Sequence, residues 1–208
     1  MTNQERAFFS QIMSSLFAPP DQEMMEQVAQ GKLSSYLENY MPSWGGDMER
    51  LREFYTNASP EILFMDLKEE YDRLFSDTGA ERISLVESFY KPWTRDPHCT
   101  LPFATDKGFL MGDSAIHLSM IYGECGLEPE TSFKGMPDHL VIELEFLSYL
   151  YQGGANKVIG TFIEDHLDWI PLLKKELDRS HPHPFYASAL EILDLFLKKE
   201  IKRLEEEA

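Results

Sequence analysis

The stretch from Met136 to Leu150 sets what this chain can fold into. Pro137 suits the first position of a helix, where its missing N–H costs nothing, and Asp138 then puts a carboxylate near the positive helix end. At about 100° per residue, Leu140, Leu144, Leu147 and Tyr151 form one apolar row, and Ile142, Phe146 and Leu150 a second. Asp138, Glu145, Ser148 and Gln152 point the other way. His139 and Glu143 fall beside the apolar rows, on the inward arc. The spacing predicts a central core helix with two polar groups on its buried side. Such a pair has two readings. A His and a Glu at i, i+4 can satisfy each other inside a helical core, or Asp138 and His139 can floor a groove for a cationic or hydrogen-bonding ligand.

The helical period recurs along the chain. Ala7, Phe8, Ile12, Leu16 and Phe17 mark a first amphipathic helix, stopped by Pro19-Pro20. Asp21 caps a second through Val28, and a third runs from Leu33 to Tyr40. Ser59-Pro60 is a cap and first-turn pair for a helix to about Phe75, with the stripe Leu63, Leu67, Tyr71 and Leu74. Asp113 caps the next helix. Further helices follow from Val158 and from Ile170, and Leu190, Leu193, Leu197, Ile201 and Leu204 trace the last. Strand alternation is not found. Between Ser76 and Phe109 the period is lost, and Gly79, Pro92, Pro97, Pro102 and Gly108 interrupt the chain; a loop of that length in a compact domain points to binding or rearrangement. The expected fold is all-α: a single-domain helical bundle with long irregular loops over residues 1–208, with variable N-terminal helices in 1–60 and a core in 61–204.

Composition narrows the function. A net charge of −17 excludes a nucleic-acid surface and suits a basic partner. Two cysteines, Cys99 and Cys125, make no disulfide framework, so a reducing compartment is expected. Met1 to Arg6 lack the pattern of a signal peptide, and no apolar run reaches the ~20 residues of a membrane helix, so the expected location is cytoplasmic, without membrane insertion. Neither His181-Pro182-His183 nor His98-Cys99 has the ligand spacing of a metal site. His117 and His166 fall within helical patterns, as packing or surface residues. No catalytic motif, metal or cofactor is expected from these residues.

Several stretches together resemble one family, the TorD/DmsD/NarJ-like maturation chaperones of molybdenum and tungsten oxidoreductases. Tyr71-Asp72-Arg73-Leu74-Phe75 resembles its aromatic-x-x-Leu-Phe motif, and Glu87-Ser88-Phe89-Tyr90 the Glu-Ser-Val-Tyr that follows. Pro137-Asp138-His139 with Glu143-Leu144 resembles its Pro-Asp-His-x-x-x-Glu-Leu signature. His166-Leu167 with Trp169, and Pro184-Phe185-Tyr186, resemble its C-terminal pattern. Ser84-Leu85-Val86 stand where relatives often carry Pro-Pro or Pro-Trp. The resemblance implies a non-enzymatic chaperone that binds the twin-arginine signal peptide and apo-form of a molybdoenzyme catalytic subunit, assists cofactor insertion and delays export. It implies a client site from Tyr71, Leu74, Phe75, Glu87, Ser88, Tyr90, Asp138, His139 and Glu143. Carboxylates beside an apolar wall suit an Arg pair followed by an apolar helix. A monomer is expected, with a domain-swapped dimer at the long loops as the alternative state. Two rival readings are a small helical enzyme using His139 and Glu143 as acid–base pair or metal ligands, and a regulator that binds a folded protein.

Overall fold

The structure is a computed structural model that describes residues 1–54, 58–76 and 78–207. Local chemistry places the helices. Thr2 caps α1 (Asn3–Phe17): its hydroxyl accepts from the Glu5 N–H at 3.2 Å while the Glu5 carboxylate accepts from the Thr2 N–H. Asp21 caps α2 (Gln22–Ala29) by accepting from the Met24 N–H at 2.8 Å. Gly31, at φ 71°, supplies the left-handed turn into α3 (Lys32–Glu38), and α4 (Met41–Trp44) is a single turn. Ser59 caps α5 (Pro60–Phe75), with Pro60 in its first turn as the sequence predicts. The remaining helices are α6 (Asp113–Glu124), α7 (Leu140–Gly153), α8 (Asn156–His166), α9 (Ile170–Arg179) and α10 (Pro184–Glu206). Among the described residues there is no strand, only one antiparallel bridge between Val86 and His139. The fold is all-α, as expected.

Helix α7 is the axis. Leu140, Leu144 and Leu147 are fully buried, and between Leu140 and Tyr151 only Glu145 and Tyr149 reach solvent. Helix α1 lies along it, and α8 packs on it too. A helix enclosed on nearly every side is a core helix rather than a surface one. Helix α10 rests on α1, α8 and α9. It carries a buried ionic tie: Glu200 accepts from Arg6 at 2.8 Å, from Tyr151 at 3.0 Å and from Arg203 at 2.8 Å. That single carboxylate joins α1, α7 and α10, and its three donors meet the condition for burying a charge.

Two details of α7 differ from the sequence expectation. The helix begins at Leu140, three residues beyond Pro137, with His139 as its cap. The cause is a backbone clasp. The Leu140 N–H donates to the Leu85 carbonyl at 2.8 Å, and the Glu87 N–H to the Asp138 carbonyl at 2.9 Å, which holds Asp138 and His139 extended. Ser148 and Asp138, both expected outward, are buried: α1 covers the face of Ser148, and the clasp turns Asp138 onto Ser88. Residues 78–112 are irregular, as expected, apart from a short 3-10 turn at Glu87–Phe89. The loop folds on itself: Trp93 N–H meets the Asp106 carbonyl at 2.9 Å, and Thr94 N–H the Ala104 carbonyl at 2.8 Å. At Gly112 a side chain would lie 2.8 Å from the Trp93 carbonyl, so only glycine lets the loop close before α6.

Candidate functional site

The clasp that starts α7 also assembles a polar centre inside the apolar core. Asp138 is fully buried, and its Oδ2 accepts from the Ser88 N–H at 2.9 Å and, through a short contact, from the Ser88 hydroxyl. The adjoining Glu87 is also fully buried. Its Oε2 accepts from His166 Nδ1 at 3.0 Å, and its Oε1 lies 2.6 Å from the Lys91 ammonium. Lys91 reaches on to Asp168 at 2.5 Å and donates to the Asp165 carbonyl at 2.6 Å. His166 Nε2 meets Nδ1 of His117, an exposed residue of α6, at 2.8 Å. From α7, Glu143 accepts the Trp169 indole N–H at 3.1 Å. The lead-in to α7, the end of α8 and Asp168 thus bond to one turn, residues 87–91, and His117 and Glu143 join them through His166 and Trp169.

The electrostatics follow from burial and partners. Burial resists ionisation of Glu87, but the His166 hydrogen bond and the Lys91 charge outweigh it and hold its carboxyl below the usual range. Glu143 has neither advantage: burial, then the charges of Glu87 and Asp138, drive its carboxyl well above the usual range. Asp138 is raised by burial, with Ser88 offsetting part of the effect. Burial alone lowers the His139 imidazole to about 4, so this ring is neutral near pH 7. Its Nδ1 accepts the Val141 N–H at 3.2 Å, and its ring packs 4.7 Å from that of Phe133.

The expected site residues fall into two groups. Asp138, Ser88, Glu87, His139 and Glu143 meet around the clasp, and all are buried. Tyr90 joins them through Trp169, its ring stacked at 5.1 Å, and its hydroxyl donates to Glu176 at 2.6 Å. Tyr71, Leu74 and Phe75 form an aromatic cluster with Tyr186 instead: Tyr71 and Phe75 are 5.2 Å apart, and Phe75 and Tyr186 5.5 Å. Leu74 is fully buried, and the Tyr71 hydroxyl donates to the Phe17 carbonyl at 3.3 Å. Of the nine, Phe75 alone is more than marginally open to solvent.

Sequence reasoning missed Lys91, Asp168 and the joining of His117 to His166. Lys91 stands four residues after Glu87, a spacing that favours an ion pair in helical geometry, but an irregular loop gave no reason to apply it. His183 is a helix cap: its Nδ1 accepts from the Phe185 N–H at 3.1 Å, and its own N–H donates to Glu70 at 2.6 Å. Among the described residues no cluster of three or more His, Cys, Asp or Glu is arranged to hold a metal ion. Nor is any helix among them long and apolar enough to cross a membrane.

Outside this centre, the loop and α6 leave a band of apolar side chains in solvent: Phe89, Phe109, Leu110, Met111, Ile116 and Met120 are all exposed. They stand on segments that are tied to one another. The Gly108 N–H donates to the Phe89 carbonyl at 3.2 Å, Phe109 packs on Phe103 at 5.4 Å, and Phe103 on Trp93 at 5.2 Å. The Asp113 N–H, opening α6, donates to the Trp93 carbonyl at 2.8 Å.

Comparison with known proteins gives a consistent answer. The family profile described as nitrate reductase delta subunit matches residues 37–175. The chaperone protein TorD of Vibrio cholerae serotype O1 is 24% identical over 220 residues, which cover 98% of this chain and 94% of that protein. The chaperone proteins TorD of Salmonella paratyphi B and Salmonella newport are each 29% identical over 106 residues, 47% of this chain and 49% of theirs.

Proposed function

This chain belongs to the nitrate reductase delta subunit family, and on that premise we propose that it is a chaperone for the catalytic subunit of a molybdenum- or tungsten-containing oxidoreductase. Its task is to bind the client's twin-arginine leader and hold the apo-subunit while cofactor is inserted, which delays export. The observation that carries this reading is the exposed apolar band on the long loop and α6. Single exposed apolar residues are ordinary, but six on segments bonded to one another, in a chain of net charge −17, favour a surface for another macromolecule. A leader with an Arg pair followed by an apolar helical segment matches both the band and the charge.

In this reading the residues expected at the site divide the work. Glu87, Ser88, Asp138 and Glu143 fix the turn from inside, and Phe89 on that turn presents its ring to the client. Tyr90 backs the turn through its stacking on Trp169, while Tyr71, Leu74 and Phe75 belong to the separate cluster with Tyr186. The acid–base enzyme reading loses support, because His139 Nδ1 and Glu143 Oε2 are both committed to donors of the protein itself.

The test is calorimetric titration of a synthetic peptide carrying an Arg pair and an apolar helical segment. Wild type should bind, more weakly as salt rises, because exposed charges are screened within ~8–10 Å at physiological ionic strength. Phe109→Ser with Met120→Ser, both at exposed positions, should weaken binding by on the order of 10-fold or more at unchanged helicity. Absence of binding to any such leader defeats the chaperone reading; equal affinity in the double variant moves the client off this band.

A further inference from the structure

We propose that the hydrogen bond between His117 of α6 and His166 of α8 is an acid-sensitive tie. The two rings stay joined with at most one extra proton between them, and a second one frees His117 and the middle of α6.

Three groups are bonded in series. Glu87 Oε2 lies 3.0 Å from His166 Nδ1, and His166 Nε2 lies 2.8 Å from His117 Nδ1. Glu87 is held ionised by its partners and can only accept, so His166 carries a hydrogen on Nδ1. His166 Nε2 then decides the contact with His117. With both rings neutral, the His117 Nδ1–H donates to the bare His166 Nε2. With one extra proton, a protonated ring donates to its neutral neighbour, and the bond is charge-assisted. With two, one N–H faces another and like charges meet. No tautomer repairs that state, because an imidazolium has no acceptor.

Burial decides which ring leaves. His166 is buried, keeps Glu87 and packs on Phe162 at 5.4 Å, whereas His117 is exposed and turns into solvent. Helix α6 is otherwise anchored near its ends. Asp113 accepts from the Thr94 hydroxyl at 3.0 Å and the Arg95 N–H at 2.8 Å, and the Tyr122 hydroxyl donates to the Pro137 carbonyl at 3.1 Å. His117 stands between those anchors, beside Ile116 and three residues before Met120, both exposed. On the chaperone reading, on which this step rests, the tie regulates the client surface, and leader binding weakens in acid.

The other charged groups around the pair keep their own partners. Lys91 is held charged between Glu87 and Asp168. Asp113 is committed to Thr94 and Arg95, and Asp165, beside His166, is exposed. Asp138 binds Ser88, and Glu143 binds the Trp169 N–H that also donates to the His166 carbonyl. Burial raises both of these carboxyls, so the control has to leave them in place.

His117→Asn does so at an exposed position. Its amide stands where His117 Nδ1 stands, donates to His166 Nε2 or accepts from it, and does not titrate. Nitrogen NMR of the labelled rings reads the tie across the imidazole range, from about pH 8 down to about pH 5. Wild type should show a hydrogen bridging the two rings at the upper end and lose it in the step that adds the second proton. A bridge missing at the upper end, one that survives in the doubly protonated pair, or a pair that takes no second proton refutes the proposal. Hydrogen exchange at residues 115–120 reads the release. The protection of wild type relative to His117→Asn should fall through the same step, by up to about tenfold per pH unit for one linked proton, and a constant ratio refutes it. Titration of the Arg-pair peptide at constant ionic strength should weaken through that step in wild type and not in His117→Asn; equal pH dependence in the two removes the tie from client binding. The first two readouts use no client peptide, so their failure is distinct from failure of the chaperone reading.

Discussion

His139 gives the most quantitative prediction. Its ring is 8% exposed, caps α7 through Nδ1 and packs on Phe133. Burial holds the imidazole at about 4 in the fold against an ordinary 6.5. The sign follows from which state binds the proton. Below pH 6.5 the unfolded chain takes it up and the folded one does not, so stability is present above that pH and is lost as pH falls toward 4. The gap of about 2.5 pH, at about 1.4 kcal/mol per pH unit, corresponds to about 3.5 kcal/mol in full, of which about 3 kcal/mol is lost by pH 4. The ring is too buried for solvent screening to reduce this much. His139→Asn keeps a capping acceptor but removes the titration. Near neutral pH it should be less stable than wild type by about 1 kcal/mol, from the lost ring contact. As pH falls to 4 the difference should change by about 3 kcal/mol in favour of the variant. Urea midpoints at matched slopes, taken stepwise between these conditions, measure it. A difference that stays constant across the range would show that the folded ring is open to protons and that the buried cap is wrong.

Two further outcomes test the core and the clasp. Leu144→Ala, at a fully buried position of α7, should cost about 2–5 kcal/mol through cavity formation, visible as a lowered denaturation midpoint. Asp138→Asn should cost on the order of 1–3 kcal/mol of stability, because the amide nitrogen or a weakened acceptor meets the two Ser88 donors in a site closed to bulk solvent. An Asp138→Asn protein as stable as wild type would mean that the carboxylate does not hold the turn.

Much of the helical scaffold was legible because its causes are local. The caps at Asp21 and Ser59 and the stripe Leu63, Leu67, Tyr71 and Leu74 are short-range features, and the structure keeps them. The inward placement of His139 and Glu143 was also readable from angle alone. What failed was non-local. The start of α7 depends on a backbone clasp to residues 85–87, some fifty positions away, and no local rule contains it. The joining of His117, His166, Glu87, Lys91 and Asp168 needs α6, the end of α8 and the loop in their final places. Side-chain charge in a sequence reads as solvated surface until tertiary structure buries it.

The polar centre explains how a loop without periodicity acquires a defined position. Residues 76–112 present no continuous apolar stripe, so hydrophobic burial, which is non-directional, cannot fix their register against the bundle. Directed bonds can. Ser88 to Asp138 sets the turn against α7, Glu87 to His166 against α8, and Lys91 to Asp168 against the segment before α9. Each contact buries charge, and well-packed apolar residues in their place would often be as stable or more so. Stability therefore does not account for them; positional specificity does. Phe89 belongs to the turn so fixed, and Phe109 and the start of α6 are tied to it through Gly108 and Trp93. The buried carboxylates thus position the exposed apolar residues from inside, and on the proposed chaperone reading substitutions in the two layers should separate: those inside change stability and its pH dependence, and those outside change client binding alone.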